Sequence, residues 1–397
     1  MKKMEITYSN RIGKIPPYLF AELEKKVEEK QRLGLDVINL GIGDPDIPTP
    51  LFIREAIAKE AMGETNHNYS SSAGEREFRE AVARWYKVRF NVNLDVDKQI
   101  CNTIGSKEGI ANICRAFVNP GDTTLIPDPA YTVYQNGATF LCDGNPVAMP
   151  LLEQNHYLPV LEDIPKHVAQ TAKLMYINYP NNPLGAVADK KFLKKVVDYC
   201  LENEIILCYD NAYSEFTFDD FIAPSIFEVP DAFQCAVEFN SLSKTFCMTG
   251  DRCGFAVGND KIIAGLKKIK SNLDSGLAVY IQKAGIIALD SYTSAKRPPV
   301  VEEIMREYEK RRNTLIDGLN SIGIPATKPK ATFYMWVKTP AEYSSIEFCN
   351  KVLEQNVVIT PGSGFGKHGE GYVRFVVTAN SERLKETVAR IEKAMKG

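Results

Sequence analysis

The segment EFNSLSKTFCMTGDRCGF, Glu238 to Phe255, sets Lys244 among small hydroxyl side chains directly after an apolar run, with Arg252 further along the same stretch. A lysine taken out of water loses its preference for the charged form. Its neutral amine is then a nucleophile able to form a Schiff base with a carbonyl compound. Ser241, Ser243 and the guanidinium of Arg252 are of the types that hold an oxyanion. Taken alone, the stretch reads equally well as an exposed loop with an ordinary surface lysine.

Three further stretches carry polar groups where a site needs them. GSKEGI, Gly105 to Ile110, is a small-residue turn opening a helix, and such a turn offers backbone N–H groups to a phosphate. A plain helix cap explains it too. NYPNNPLG, Asn178 to Gly185, ends an apolar run with asparagines and prolines, as turn chemistry alone also does. YDNAY, Tyr209 to Tyr213, ends the next run with a carboxylate at Asp210. A buried carboxylate needs a partner, and a helix N-terminus is one option.

The elements that position these residues follow from the hydrophobic pattern. TTLIP, AKLMYINYP, EIILCYD and CAVEFNSLS alternate with helical stretches such as KEGIANICRAFV and KKFLKKVVDYCLEN between Cys101 and about Gly258. Continuous apolar strands between helices predict an α/β fold with a mainly parallel sheet covered on both faces, its site at the carboxyl edge of the strands. IPPYLFAELEKKVEEKQRLG reads as a turn into an amphipathic helix stopping at Gly34, DVINLGIGDPDIPTP as a short strand into a loop, and LFIREAIAKEAM as a helix. Toward the C-terminus a long helix, VEEIMREYEKRRNTLIDGLNSIG, precedes ATFYMWVKT, SIEFCNKVLEQN, VVITPGSGFG, GYVRFVVTA and a closing helix, which predicts a smaller α+β domain. The expected division is 1–44 as an N-terminal arm and part of the smaller domain, 45–285 as the large domain, and 286–397 as the C-terminal smaller domain.

The chain has 397 residues, enough for a large core without disulfides or metal, and no metal site is expected. Its 48 basic and 50 acidic residues leave a net charge of −2, with no excess to draw it to nucleic acid or an anionic membrane. No stretch reaches the ~18 consecutive apolar residues of a membrane helix, and no signal peptide opens the chain. Nine scattered cysteines without a CxxC pair predict reduced thiols and a cytoplasmic protein.

Asn182, Asp210, Tyr213, SLSK and Arg252, in this order and spacing, resemble the fold-type I, pyridoxal-phosphate-dependent aminotransferases of class I/II, and the resemblance runs over essentially the whole chain. It implies pyridoxal 5'-phosphate carried on Lys244, with its phosphate held by Ser241, Ser243, Arg252 and the N–H groups around Ser106 and Lys107. Asp210 then pairs with the ring nitrogen, Asn182 and Tyr213 with the ring oxygen, and Tyr131 of DPAYTVY stacks on the ring. The plain alternative for Tyr131 is a core aromatic. Tyr69 of NYSSSAG matches a tyrosine that reaches the partner subunit's phosphate, which implies a homodimer with shared sites. Lys244, Asp210 and Tyr213 are the implied catalytic residues.

For the substrates, an amino acid and a 2-oxo acid, Arg374 of GYVRFVVTA matches the arginine that grips the α-carboxylate, and Gly43 of LGIGDPD a glycine of close approach. IPPYLFAEL, LGIGDPD, GSKEGI and MPLLEQNHYLP resemble the LL-diaminopimelate aminotransferases, which exchange an amino group with 2-oxoglutarate in lysine synthesis. That resemblance puts Tyr18, Gly43, Lys107, Asn182 and Arg374 at the substrate. Alanine, aspartate or aromatic aminotransferases and C–S β-lyases share the scaffold. Two positions depart from pattern: Leu184 stands where the family has threonine, and Ser275, in NLDSGLA, where the subgroup often has asparagine.

Overall fold

Apolar runs without polar alternation must bury both faces, and between residues 100 and 258 they do. In the computed structural model, which describes residues 4–17 and 19–396, adjacent side chains of one strand enter different cores. Met175 and Ile177 face one apolar cluster, and Leu174 and Tyr176 the other. The second cluster is completed by helices Ser106–Phe117 and Asp260–Leu273, the first by helices Arg76–Phe90, Lys190–Glu202 and Val279–Asp290.

In chain order the strands are β1 (Ile38–Asn39), β2 (Ile100–Ile104), β3 (Thr123–Asp128), β4 (Asn145–Pro150), β5 (Ala172–Asn178), β6 (Ile206–Asp210), β7 (Ala236–Ser241), β8 (Cys253–Gly258), β9 (Tyr334–Lys338), β10 (Val357–Val358), β11 (Thr360–Pro361) and β12 (Tyr372–Val376). The large sheet has seven strands in the order β2-β8-β7-β6-β5-β3-β4. β7, β6, β5, β3 and β4 run parallel, while β8 is antiparallel to both of its neighbours. Two reversals restore direction, so β2 points the same way as β7. The carboxyl ends of β2, β3, β5, β6 and β7 therefore share one edge with the start of β8.

A second sheet, β11-β12-β9, is antiparallel, and β12 is its central strand. β1 pairs with β10 in parallel, and Val376 N–H donates to Leu40 O at 2.9 Å, so the segment before the large sheet is stitched to the C-terminal part of the chain. The helix expected before Gly34 runs Leu19–Arg32, and Gly34 takes φ +75°, a left-handed stop. Three strands of the large sheet, β2, β4 and β8, do not stand out among the apolar runs: β2 (ICNTI) and β4 (NPVAMP) are broken by polar residues or prolines, and β8 (CGFAVG) carries two glycines.

The start of helix Ser106–Phe117 is held by a buried ion cluster. Lys270, fully buried, reaches Glu108 Oε2 at 3.0 Å and Asp274 Oδ2 at 3.1 Å. Burial disfavours its charge, but Glu108 and Asp274 outweigh burial and raise its pKa. Glu108 Oε2 also accepts the Ile104 N–H at 3.0 Å, which ties the end of β2 to the helix that follows it. Lys270→Met leaves two carboxylates without their cation and should cost about 3–5 kcal/mol, seen as a lower urea midpoint, with Lys270→Arg recovering part of the loss. An unchanged midpoint for Lys270→Met would show that the cluster does not hold this end of the sheet.

Candidate active site

The shared strand edge opens into a cavity of about 370 Å³. Gly43, Ser106, Lys107, Tyr131, Asn182, Asp210, Tyr213, Ser241, Ser243, Lys244, Arg252 and Arg374 all line it. Segments from residue 43 to residue 374 thus converge because neighbouring strands end together, each about 4.8 Å from the next.

Lys244 follows β7 on the short helix Leu242–Thr245, which Ser241 caps by accepting the Ser243 N–H. Its Nζ donates to Gly43 O at 3.0 Å and lies 5.4 Å from the Phe333 ring centroid. Burial lowers its pKa from 10.5 to about 8, opposed by Asp44 and assisted by Arg252 and Arg374. The exposed-loop alternative is thereby set aside.

One end of the cavity is built for an anion. Ser241 Oγ donates to Ser243 Oγ at 2.9 Å, and both serines are buried. Gly105 N–H donates to Arg252 O at 2.6 Å, which joins the turn after β2 to the residue before β8. Gly105 has φ +68°, and a Cβ there would overlap the Arg252 guanidinium. A Cβ on Gly254 would lie 2.9 Å from Thr103 Oγ1 and 3.0 Å from Ser106 N. These two glycines let a guanidinium, a helix N-terminus and a pair of hydroxyls sit side by side. Lys107 stands beside them, its pKa lowered by burial and by Arg252. Such a donor set fits a phosphate.

At the other end Asp210 is buried, and its partner is a residue the sequence reading did not single out. Tyr134 OH donates to Asp210 Oδ2 at 2.7 Å, and the Ala212 N–H lies 3.4 Å from Oδ1. Burial raises the Asp210 pKa to about 6 against these two bonds. Neither Asp210 nor Lys244 is in an ion pair among the described residues. A carboxylate desolvated without a cation fits a cationic ring nitrogen.

Asn178, also missed, anchors the turn after β5. Its Nδ2 donates to Asp210 O at 2.8 Å, and its Oδ1 accepts the Asn182 N–H at 2.7 Å. Asn182 Oδ1 accepts from Arg374 at 2.9 Å, and Arg374 donates a second bond to Gly41 O at 2.7 Å. Arg374 is buried in the central strand of the small sheet, between the rings of Tyr334 and Phe365 at 4.4 and 4.6 Å, so it is not an edge residue. Tyr213 OH and Tyr334 OH share a hydrogen bond of 2.7 Å. A Cβ on Gly43 would overlap the Tyr334 hydroxyl, so Tyr334 alone requires glycine there. Tyr134 and Tyr334 lie in DPAYTVY and ATFYMWVKT, where nothing local marks either tyrosine as a donor to the site.

Three further positions from the sequence reading remain. Tyr18 lies outside the described residues. Tyr69 does not line the cavity of its own chain: it is 90% exposed, in a surface depression with Ser275 and Tyr280. Leu184 is buried against Leu151, Trp336 and Phe365, where an apolar side chain packs without an unsatisfied hydroxyl.

With this geometry described, comparison with known proteins gives the class. The profile described as Aminotransferase class I and II matches residues 35–391. The chain belongs to the class I and II aminotransferases. It is 48% identical to the LL-diaminopimelate aminotransferase of Aquifex aeolicus over 97% of this chain and 98% of that one. It is 46% identical to the enzyme of the same name from Moorella thermoacetica over 98% of both. The substrate-bound structure of BacF from Bacillus subtilis superposes with a TM-score of 0.93 at 36% identity, covering 98% of each chain.

The lowered Lys244 pKa has a measurable consequence. In the cofactor-free chain, competitive labelling of amines followed by mass spectrometry should give Lys244 a midpoint near pH 8, below the 10.5 of ordinary lysines. Because the unfolded chain keeps this proton up to 10.5, the lysine's contribution to stability rises with pH between 8 and 10.5. A Lys244 midpoint with the surface lysines would contradict a desolvated amine.

Proposed function

We propose that the cavity holds pyridoxal 5'-phosphate and moves an amino group between an amino acid and a 2-oxo acid. The observation that carries this reading is one cavity joining a desolvated amine, a desolvated carboxylate without a cation, and a cup of hydroxyls, guanidinium and helix N–H groups. Ser106, Ser241, Ser243 and Arg252 would hold the phosphate, Asp210 the ring nitrogen, and Asn182 and Tyr213 the ring oxygen. Tyr131 would cover the ring face, and Lys244 would hold the cofactor through its Nζ.

When bound, the cofactor supplies an electron sink for the pair released as the substrate Cα–H bond breaks. The remaining work belongs to the chain. Arg374 receives the substrate α-carboxylate, with its guanidinium oriented by Asn182 and Gly41. Lys107 adds positive charge at the cavity wall. Lys244, with its amine free, would act as the general base that takes the substrate Cα proton and as the acid that gives a proton back. Its pKa of about 8 leaves a useful neutral fraction near pH 7 while keeping the conjugate acid available. The first product leaves before the second substrate binds, so ping-pong kinetics follow.

We infer LL-diaminopimelate and 2-oxoglutarate as the substrate pair, in lysine biosynthesis, supported by the two relatives' names at 46% and 48% identity. We also read the protein as a cytoplasmic homodimer in which Tyr69 serves the partner's site. An exposed tyrosine in a depression of its own and nine free cysteines support this. The division into 1–44, 45–285 and 286–397 is part of the same proposal, supported by the pairing of β1 with β10.

Two measurements test the reading. Adding LL-diaminopimelate to the cofactor-loaded protein should convert its absorption to the amino form, and 2-oxoglutarate should restore it. Conversion by alanine, aspartate or aromatic amino acids alone would leave the aminotransferase and remove the substrate assignment. Release of pyruvate and ammonia from cystathionine without an acceptor would point to a C–S lyase. Lys244→Ala should lose essentially all turnover, and near-normal transamination by it would falsify the role of Lys244. Arg374→Lys should mainly raise KM for both substrates, because a point charge replaces a two-pronged donor.

A further inference from the structure

Tyr134 is fully buried at the start of the helical turn Tyr134–Thr139, and no other role in the site accounts for its hydroxyl. Its ring is stacked on Tyr176 at 5.0 Å and 15°, and Tyr131 meets it edge-on at 5.9 Å. Its backbone carbonyl accepts from Thr139 Oγ1 at 2.9 Å. The side chain is thus fixed from several sides, and its one polar atom is aimed at Asp210 Oδ2.

We propose that Tyr134 is a positioning residue of amino transfer: its hydroxyl keeps the Asp210 carboxylate ionised and oriented toward the cationic ring nitrogen of the cofactor. This rests on the reading of the cavity as a pyridoxal phosphate site. The tyrosine is a neutral donor, so it opposes the protonation that burial imposes on Asp210 without neutralising the charge the ring nitrogen needs. A cation in the same place would compete with the ring. The phenol keeps its own proton, since burial and then Asp210 push its pKa well up. The other titratable groups of the cavity are Tyr131, Tyr213, Tyr334, Lys107, Lys244, Arg252, Arg374, Asp44 and Glu24, and the side-chain hydrogen bond to an Asp210 oxygen comes from Tyr134.

The test is binding of pyridoxal phosphate to the cofactor-free, full-length chain, followed by absorption from pH 6.5 to 8.5. Tyr134→Phe keeps the ring and its stack, and its melting temperature checks folding. Losing a hydrogen bond to a charged group should weaken binding roughly 10- to 100-fold near pH 7. The deficit should grow as pH falls, because the unsupported carboxylate takes up its proton at higher pH. In an Asp210→Asn background the same change should have little further effect, since nothing is left for the hydroxyl to hold ionised. Tyr176→Phe, the packing control, should bind as wild type. Undiminished affinity for Tyr134→Phe, a deficit independent of pH, or full additivity with Asp210→Asn overturns the inference. If the wild-type chain itself fails to bind pyridoxal phosphate, the reading of the cavity falls, and this inference with it.

Discussion

The antiparallel strand β8, inserted between β7 and β2, is the constraint on which the site depends. A strand that runs against its neighbours begins where they end. Arg252, just before β8, is therefore delivered to the same rim as Lys244 after β7 and Ser106 after β2. Ser241 pairs with Gly254 and Ile104 with Cys253, so the register is fixed by the ladder itself. Were β8 parallel, its first residue would lie a strand length away, about 20 Å for six residues at 3.3 Å each. Gly105 and Gly254 are the steric condition for this meeting, since neither site has room for a Cβ.

The same edge sorts charge. Cationic and N–H groups gather after β7 and β2 and before β8, while the carboxylate stands at the end of β6. Although β6 and β7 are neighbours, Lys244 Nζ donates to Gly43 O and Asp210 Oδ2 accepts from Tyr134, so among the described residues the two do not quench one another in an ion pair. Each group pays a desolvation cost that its neighbours only partly offset: burial lowers the lysine pKa and raises the aspartate pKa. A ligand with an anion at one end and a cation at the other relieves both. The buried Lys270–Glu108–Asp274 cluster holds the first turn of helix Ser106–Phe117 to the end of β2.

Much of this was legible in the chain. The apolar runs at 123–127, 172–178, 206–210 and 236–241 correspond to β3, β5, β6 and β7, because strands buried on both faces need no alternation. The residues at their ends line one cavity because parallel strands end together. Tyr134, Asn178 and Tyr334 were not legible in the same way. Their hydroxyls and amide act through partners 32 to 121 residues distant, Asp210 for both Tyr134 and Asn178 and Tyr213 for Tyr334. A tyrosine that serves as a donor has no local pattern to distinguish it from one that fills a core.

By itself the sequence determined the layered α/β architecture, the family resemblance and the chemical types available: one lysine among hydroxyls, a carboxylate at a strand end, an arginine behind a glycine. These follow from periodicity and composition, which are local properties of the chain. Only the tertiary structure decided that Lys244 is desolvated, that Asp210 is paired with a phenol and not with a helix end, and that Arg374 lies between two aromatic rings. Those properties depend on which distant segments exclude water from a given atom, and exclusion of water is set by packing across the whole chain.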